Sequence, residues 1–80
     1  MKTTKYLDHV RMRPDRAIIT TNWIMEVIDN PIETKIQSDG RIKKWAFIPE
    51  VGKYLRVILL EDGETVHNAF FDRDYAEKTK

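Results

Sequence analysis

The stretch Tyr54-Leu55-Arg56-Val57-Ile58-Leu59-Leu60-Glu61-Asp62-Gly63-Glu64-Thr65-Val66-His67-Asn68-Ala69-Phe70-Phe71 decides the fold. Two runs rich in β-branched, aromatic and aliphatic residues flank Asp62-Gly63, a dipeptide that favours a tight hairpin turn. Residues 54–61 and 64–71 therefore read as antiparallel strands. A turn centred on Asp62-Gly63 sets Leu59 opposite Val66, Val57 opposite Asn68 and Leu55 opposite Phe70. Side chains alternate across a strand, so Leu55, Val57, Leu59, Val66 and Phe70 share an apolar face. Tyr54, Arg56, Ile58, Leu60, Thr65, His67, Ala69 and Phe71 share the other. Asn68 is the misfit on the apolar face.

Working outward, Asp39-Gly40 repeats the hairpin signal between Ile32–Ser38 and Arg41–Ile48. Pro49-Glu50-Val51-Gly52 joins the two hairpins. A four-residue loop there sets Trp45 opposite Arg56, Phe47 opposite Tyr54 and Lys43 opposite Ile58. Lys43, Trp45, Tyr54, Arg56 and His67 then gather on the second face. Connections this short leave no room for the crossovers that parallel strands need. Upstream, Trp23, Ile24, Val27 and Ile28 recur at helical spacing behind the cap candidates Thr20, Thr21 and Asn22. Pro31 ends that pattern, which predicts a helix over 21–29. Residues 5–13 read as a shorter helix stopped by Pro14, and Ala17-Ile18-Ile19 reads as a brief extended segment. The expected fold is α+β: a four-stranded antiparallel β-meander with one or two N-terminal helices packed on one face. It forms a single domain over 1–80, with an ordered core at about 5–73 and a frayed tail at 74–80.

At 80 residues without cysteine, one small apolar core must hold the chain together. Hydrophobic residues at 41% and charged residues at 34% fit an ordered globule rather than a disordered tail. No run approaches ~18 consecutive apolar residues and Met1–Tyr6 has no signal-peptide pattern, so a cytoplasmic protein without a membrane partner is expected. The net charge of +1 hides a pattern. Residues 1–22, 23–40, 41–60 and 61–80 carry +3, −3, +4 and −3 in turn. The basic blocks can form one anion-binding surface, or opposite blocks can neutralise one another.

The chemistry is narrowed by elimination. Metal binding is not expected, because there is no cysteine and His9 and His67 stand on different elements. No cofactor is implied, since Gly40, Gly52 and Gly63 all fall in turns rather than in a phosphate loop. Ser38, the lone serine, sits beside a turn. What remains is the basic and aromatic face. Metal-free RNA cleavage needs a proton-transfer group, a donor for the leaving oxygen and cations on the phosphate. His67 and Arg56 are the catalytic candidates. Lys43, Trp45, Tyr54, Arg56 and Arg73 are the candidates for holding nucleic acid or another anion. Each also has an ordinary role available, His67 in cross-strand packing and Arg56 with its stem against Trp45.

The run from Tyr54 to Arg73, with Trp23-Ile24, Val27-Ile28, Asn30-Pro31, Asp39-Gly40-Arg41-Ile42 and Trp45, resembles a family of small bacterial, notably cyanobacterial, proteins without an assigned activity. The resemblance covers about residues 6–73. The order of elements is more distantly similar to the RelE/ParE/BrnT-like toxin superfamily. That resemblance implies N-terminal helices on an antiparallel sheet, RNA as target and an antitoxin-like protein as partner. His67 and Arg73 fall in the closing strand and Arg56 in the strand before it. His9-Val10-Arg11 stands where the BrnT-like branch has Lys-His-Gly. The expected function is a toxin-like domain acting on or binding RNA. The alternative is a non-catalytic protein- or nucleic-acid-binding module, or one that self-associates through Trp45, Phe47, Tyr54 and Phe71.

Overall fold

The computed structural model describes residues 1–75 and has an α+β architecture: three short helices against a five-stranded mixed sheet. In chain order these are β1 (Lys2–Thr3), α1 (Lys5–Val10), α2 (Pro14–Ala17), α3 (Thr21–Asp29), β2 (Glu33–Ile36), β3 (Ile42–Ile48), β4 (Lys53–Leu59) and β5 (Thr65–Phe71). The sheet order is β1-β5-β4-β3-β2. Four strands form the expected antiparallel meander. The fifth corrects the expectation: Lys2 and Thr3 pair in parallel with Thr65 and Val66. A parallel neighbour is possible because α1 and α3 supply the crossover between β1 and the meander.

Thr20 caps α3, its hydroxyl accepting the Trp23 N–H, and Asn30 closes the helix with its N–H on the Glu26 carbonyl. The helix runs over the expected residues and buries Ile24 and Val27. The N-terminal segment departs from expectation. Pro14 stops α1 but also starts α2, where its missing N–H costs nothing in the first turn. Ile18 therefore closes a helical turn instead of extending, and Ile19 is buried. Thr4 caps α1 by accepting the Leu7 N–H.

The β3–β4 register matches the sequence reading: Trp45 lies opposite Arg56, Phe47 opposite Tyr54 and Lys43 opposite Ile58. The β4–β5 register matches only at the turn, where Leu59 pairs with Val66. A β-bulge follows, and Ile58 pairs with Asn68, Val57 with Ala69, Arg56 with Phe70 and Leu55 with Phe71. The extra residue is His67. Past it, every β5 side chain is exchanged between faces. Ala69 and Phe71 join the core, and Asn68 and Phe70 turn to the opposite face, which resolves the misplaced asparagine.

Both hairpin loops are longer than two residues. Gly40 N–H bonds the Gln37 carbonyl and Gly63 N–H bonds the Leu60 carbonyl, each glycine at positive φ, 89° and 72°. Asp62 holds the second loop: its carboxylate accepts the Thr65 hydroxyl and the N–H groups of Glu64 and Thr65. Those bonds, led by the Thr65 hydroxyl, lower its pKa to about 2. A depressed carboxylate adds stability that is complete above its unfolded value and is lost as pH falls towards the folded one. The loop should therefore loosen between about pH 4 and pH 2.

The helices and sheet share one core, with Leu7, Ile19, Ile24 and Val27 against Ile48, Leu55, Val57, Leu59 and Val66. Leu55 is fully buried, whereas Met12 is 79% exposed. Leu55→Ala should lower unfolding stability by about 2–5 kcal/mol, a large share of what a domain of this size has. Met12→Ala should change it by less than about 0.5 kcal/mol. Urea unfolding of the two variants checks this.

Candidate functional site

The candidate residues lie on the face of the sheet opposite the core. β3 and β4 place Trp45 beside Arg56, and β5 places Phe70 on Arg56's other flank. The Arg56 guanidinium sits 5.3 Å from the Trp45 ring centre and 5.0 Å from that of Phe70. Two aromatic rings thus embrace one cation. One residue beyond β5, Asp72 turns to the same side. Its Oδ2 accepts from Arg56 Nη2 at 2.6 Å, Arg56 Nε at 3.0 Å and Trp45 Nε1 at 3.0 Å. Its backbone N–H is anchored on the Tyr54 carbonyl.

Tyr75 extends this layer. Its ring stacks on Trp45 at 5.2 Å and meets Tyr54 at 5.1 Å, and its hydroxyl donates to Glu33 Oε1. Trp45 is consequently only 4% exposed. Tyr54 also packs edge-on against Phe47. Of the tail expected to fray over 74–80, Tyr75 carries these contacts and Asp74 donates its N–H to Asp72 Oδ1, and 76–80 lie outside the described residues.

Burial pulls the Asp72 carboxyl upward, but the hydrogen bonds from Trp45 and Arg56 and the adjacent positive charge outweigh it. The net shift is downward, so Asp72 is ionised and Arg56 is neutralised. Arg56 is therefore committed to Asp72 rather than presented to a phosphate.

His67, the bulge residue, is placed differently. Its ring stacks on Tyr6 at 4.9 Å, and Nδ1 lies 3.1 Å from the Thr4 hydroxyl oxygen. The same oxygen accepts the Leu7 N–H, so one hydroxyl ties the imidazole to the start of α1. Desolvation, with a contribution from the Arg41 charge, lowers the His67 pKa. No hydrogen bond or ring contact joins His67 to Arg56 among the described residues. Lys43 stands apart as well, between Ile58 and Lys35 on the neighbouring strands.

Arg73 belongs to a third place. It is exposed and lines a groove of about 710 Å³ where β4 begins and β5 ends, beside α2. Lys53, Tyr54, Phe70 and Phe71 form much of the wall, with Asp15 and Arg16 on the α2 side. The two acids of the groove are already engaged. Asp72 holds Arg56, and Asp15 lies 3.6 Å from Arg16 Nε. Arg16 is braced further by Asn68 Oδ1, the Ala69 carbonyl and the Phe70 ring. Arg73 has no ion pair or hydrogen bond among the described residues, and the Lys53 ammonium rests over the Phe71 ring at 5.4 Å.

The structure thus brings Trp45, Tyr54 and Arg56 together and leaves Lys43, His67 and Arg73 at separate points. Sequence reading missed Asp72, Tyr75 and Lys53. Asp72 directly follows Phe70-Phe71, but its face depends on the bulge. Among the described residues no group of three His, Cys, Asp or Glu is placed to hold a metal ion, and no helix is long and apolar enough to cross a membrane. Comparison with protein-family models, with curated proteins and with solved structures finds no match to this chain.

Two outcomes follow from the Asp72 network and the His67 environment. Asp72→Asn should cost about 1.5–3 kcal/mol, the range for hydrogen bonds to a charged group, and should raise Trp45 mobility in fluorescence anisotropy. His67 should titrate below 6.5 by NMR. The neutral imidazole stabilises the fold fully above the unfolded value, and that contribution is lost as pH falls through the folded one. His67→Gln should remove this step from the pH dependence of thermal unfolding.

Proposed function

We propose that this domain is a non-catalytic module that binds single-stranded RNA, built on a plan related to the RelE/ParE/BrnT-like toxins but without their cleavage chemistry. The observation that carries the reading is the groove at the β4–β5 end of the sheet. Lys53 and Arg73 supply positive charge there next to the rings of Tyr54, Phe70 and Phe71. Cations for the backbone beside aromatic surface for bases are what sequence-tolerant single-strand binding uses. Its volume, about 710 Å³, is that of a ligand-sized site. Of the two acids that line it, Asp72 is held by Arg56, and Asp15 is exposed at the rim with Arg16 Nε 3.6 Å away.

The same geometry speaks against turnover. A metal-free ribonuclease needs its proton-transfer group and its phosphate-binding cation on one substrate. Here the imidazole is held by Thr4 and Tyr6, and the guanidinium by Asp72, at separate places. An antitoxin-like partner is not required by this reading.

Fluorescence anisotropy with a labelled single-stranded RNA tests it. Binding should weaken with salt, and Arg73→Ala and Lys53→Ala should each reduce the slope of log K against log salt by about 1. The RNA should stay intact, and high-level expression should leave growth normal. Cleavage that disappears with Arg56→Ala would return the domain to the ribonucleases. Absence of binding at low salt would remove RNA as the ligand.

A further inference from the structure

β2 is the outer strand of the sheet, and no described residue pairs with its outer edge. The opposite edge is better protected, because β1 pairs with Thr65 and Val66 and Arg16 Nη1 bonds the Ala69 carbonyl. Two of the exposed large hydrophobic side chains flank the open edge: Ile36 is 75% exposed and Ile32 is 49% exposed. An unprotected strand with apolar side chains is a template for another strand.

The sequence of that strand is self-complementary. With Ile32, the bend residue just before it, the segment Ile32-Glu33-Thr34-Lys35-Ile36 reads the same by residue class from either end, except that its acid and base exchange places. We propose that β2 pairs antiparallel with β2 of a second copy about a two-fold axis at Thr34, joining two sheets into one. Antiparallel pairing inverts the order, so Glu33 faces Lys35 of the second copy and Lys35 faces its Glu33. Thr34 faces Thr34, and Ile32, just before the strand, comes near Ile36 of the second copy. Opposite charges, paired apolar groups and paired threonines are the favourable cross-strand combinations.

The backbone agrees with this register. Gln37 donates its N–H to the Arg41 carbonyl across the β2–β3 hairpin. Counting back by twos, Lys35 and Glu33 also bond inward, so Thr34 and Ile36 direct their N–H and C=O groups to the open edge. The two Thr34 residues can exchange both bonds. Ile32 gives its N–H inward to the Trp45 carbonyl and stands outside this ladder. Competing registers are worse. A two-fold axis at Glu33 or Lys35 sets like charges directly opposite, which is destabilising. An axis at Ile32 brings in Pro31, which has no N–H to donate.

The lysine side of the pair is loosely held. Lys35 is 57% exposed and lies 3.9 Å from Glu33 of its own strand, a loose ion pair that pairing with a second copy would replace. The Tyr75 hydroxyl donates to Glu33 Oε1, and Oε2 is the atom 3.9 Å from the lysine. A ladder built on a four-residue strand is small beside a standard interface, so the complex is a reversible dimer that grows with concentration. The inference is independent of RNA binding, since the groove is built by β4, β5 and α2.

Sedimentation velocity over a concentration series, together with cysteine cross-linking, tests it. The chain has no cysteine, so a single introduced thiol can bridge only two copies. Cα atoms in a hydrogen-bonded pair stand about 5.5 Å apart, within the range of roughly 4.4–6.8 Å for a disulfide. Thr34→Cys should form the bridged dimer at least about tenfold faster than Ser38→Cys in the adjacent turn, because pairing raises the local thiol concentration. Lys35→Glu, which leaves the fold intact by circular dichroism, should shift the sedimenting species to monomer. Adding Glu33→Lys to it should restore the dimer. A mass that stays monomeric at every concentration, equal cross-linking at 34 and 38, or association indifferent to Lys35→Glu would each overturn the proposal.

Discussion

One extra residue in β5 sets the chemistry of this domain. The bulge at His67 exchanges the faces of everything after it, so that Phe70 and Asp72 turn away from the helices. In an unbulged strand the Asp72 carboxylate would point to the side that holds Leu55, Val57 and Leu59, where an unpaired charge is expensive. With the bulge it meets Trp45 and Arg56 instead. Phe70 arrives on the far flank of the same guanidinium. The bulge residue is itself stabilised, by Tyr6 stacking and by the Thr4 hydroxyl that also caps α1. The start of the first helix and the irregularity in the last strand therefore support each other through one hydroxyl group.

The layer built on Asp72 explains how so short a chain manages a sheet with helices on one side only. A single small core leaves little stability to spare. Residues 72–75 return across the opposite face and cover Trp45 with Tyr75, and the aromatic packing continues to Tyr54 and Phe47. The sheet thus has a second, partial layer made of side chains and a chain end. It covers the middle of β3 and β4 but not Lys43 or the groove at Arg73. Charge is settled in the same local way. Lys44 gives its ammonium to the Ile28 carbonyl near the end of α3, where the helix dipole favours a cation. Arg41 pairs with Asp39 in its own turn, and Arg56 takes Asp72. Within the basic block 41–60, Arg41 and Arg56 are thus paired with acids, while Lys43 and Lys53 have no ion pair among the described residues, and Lys53 shares the groove with Arg73.

How much of this the residues disclosed depends on the kind of signal each element carries. Helix α3 was legible because Trp23, Ile24, Val27 and Ile28 repeat at helical spacing between a threonine cap and Pro31. The β3–β4 register was legible because a four-residue loop leaves no freedom once both strands are recognised. The bulge was not, since one inserted residue changes neither composition nor hydropathy. Its only trace was a polar residue, Asn68, in an apolar position. Strand β1 was out of reach for a different reason: two residues have no periodicity, and their pairing is fixed by where Thr4 must cap α1. Pro14 was ambiguous, because the same ring that ends one helix suits the first turn of the next. Of the candidate site residues, Trp45, Tyr54 and Arg56 were grouped correctly because they depend on β3 and β4 alone. His67 was misplaced relative to them because its position is the bulge, and Asp72 was overlooked because its face is decided by it.

The consequence for function is a matter of availability rather than composition. A guanidinium between two rings and on a carboxylate is a rigid structural post, and its positive charge is largely cancelled at short range. A histidine packed against Tyr6 and partly withdrawn from water takes up a proton less readily than a free one. Residues that look like a ribonuclease set in one dimension are thus consumed by the fold in three. Lys53 and Arg73 are different, because both stand at strand ends where neighbouring side chains thin out. Small one-sided sheets concentrate reactivity in this way: the centre of each strand is needed for packing, and binding is left to ends and edges.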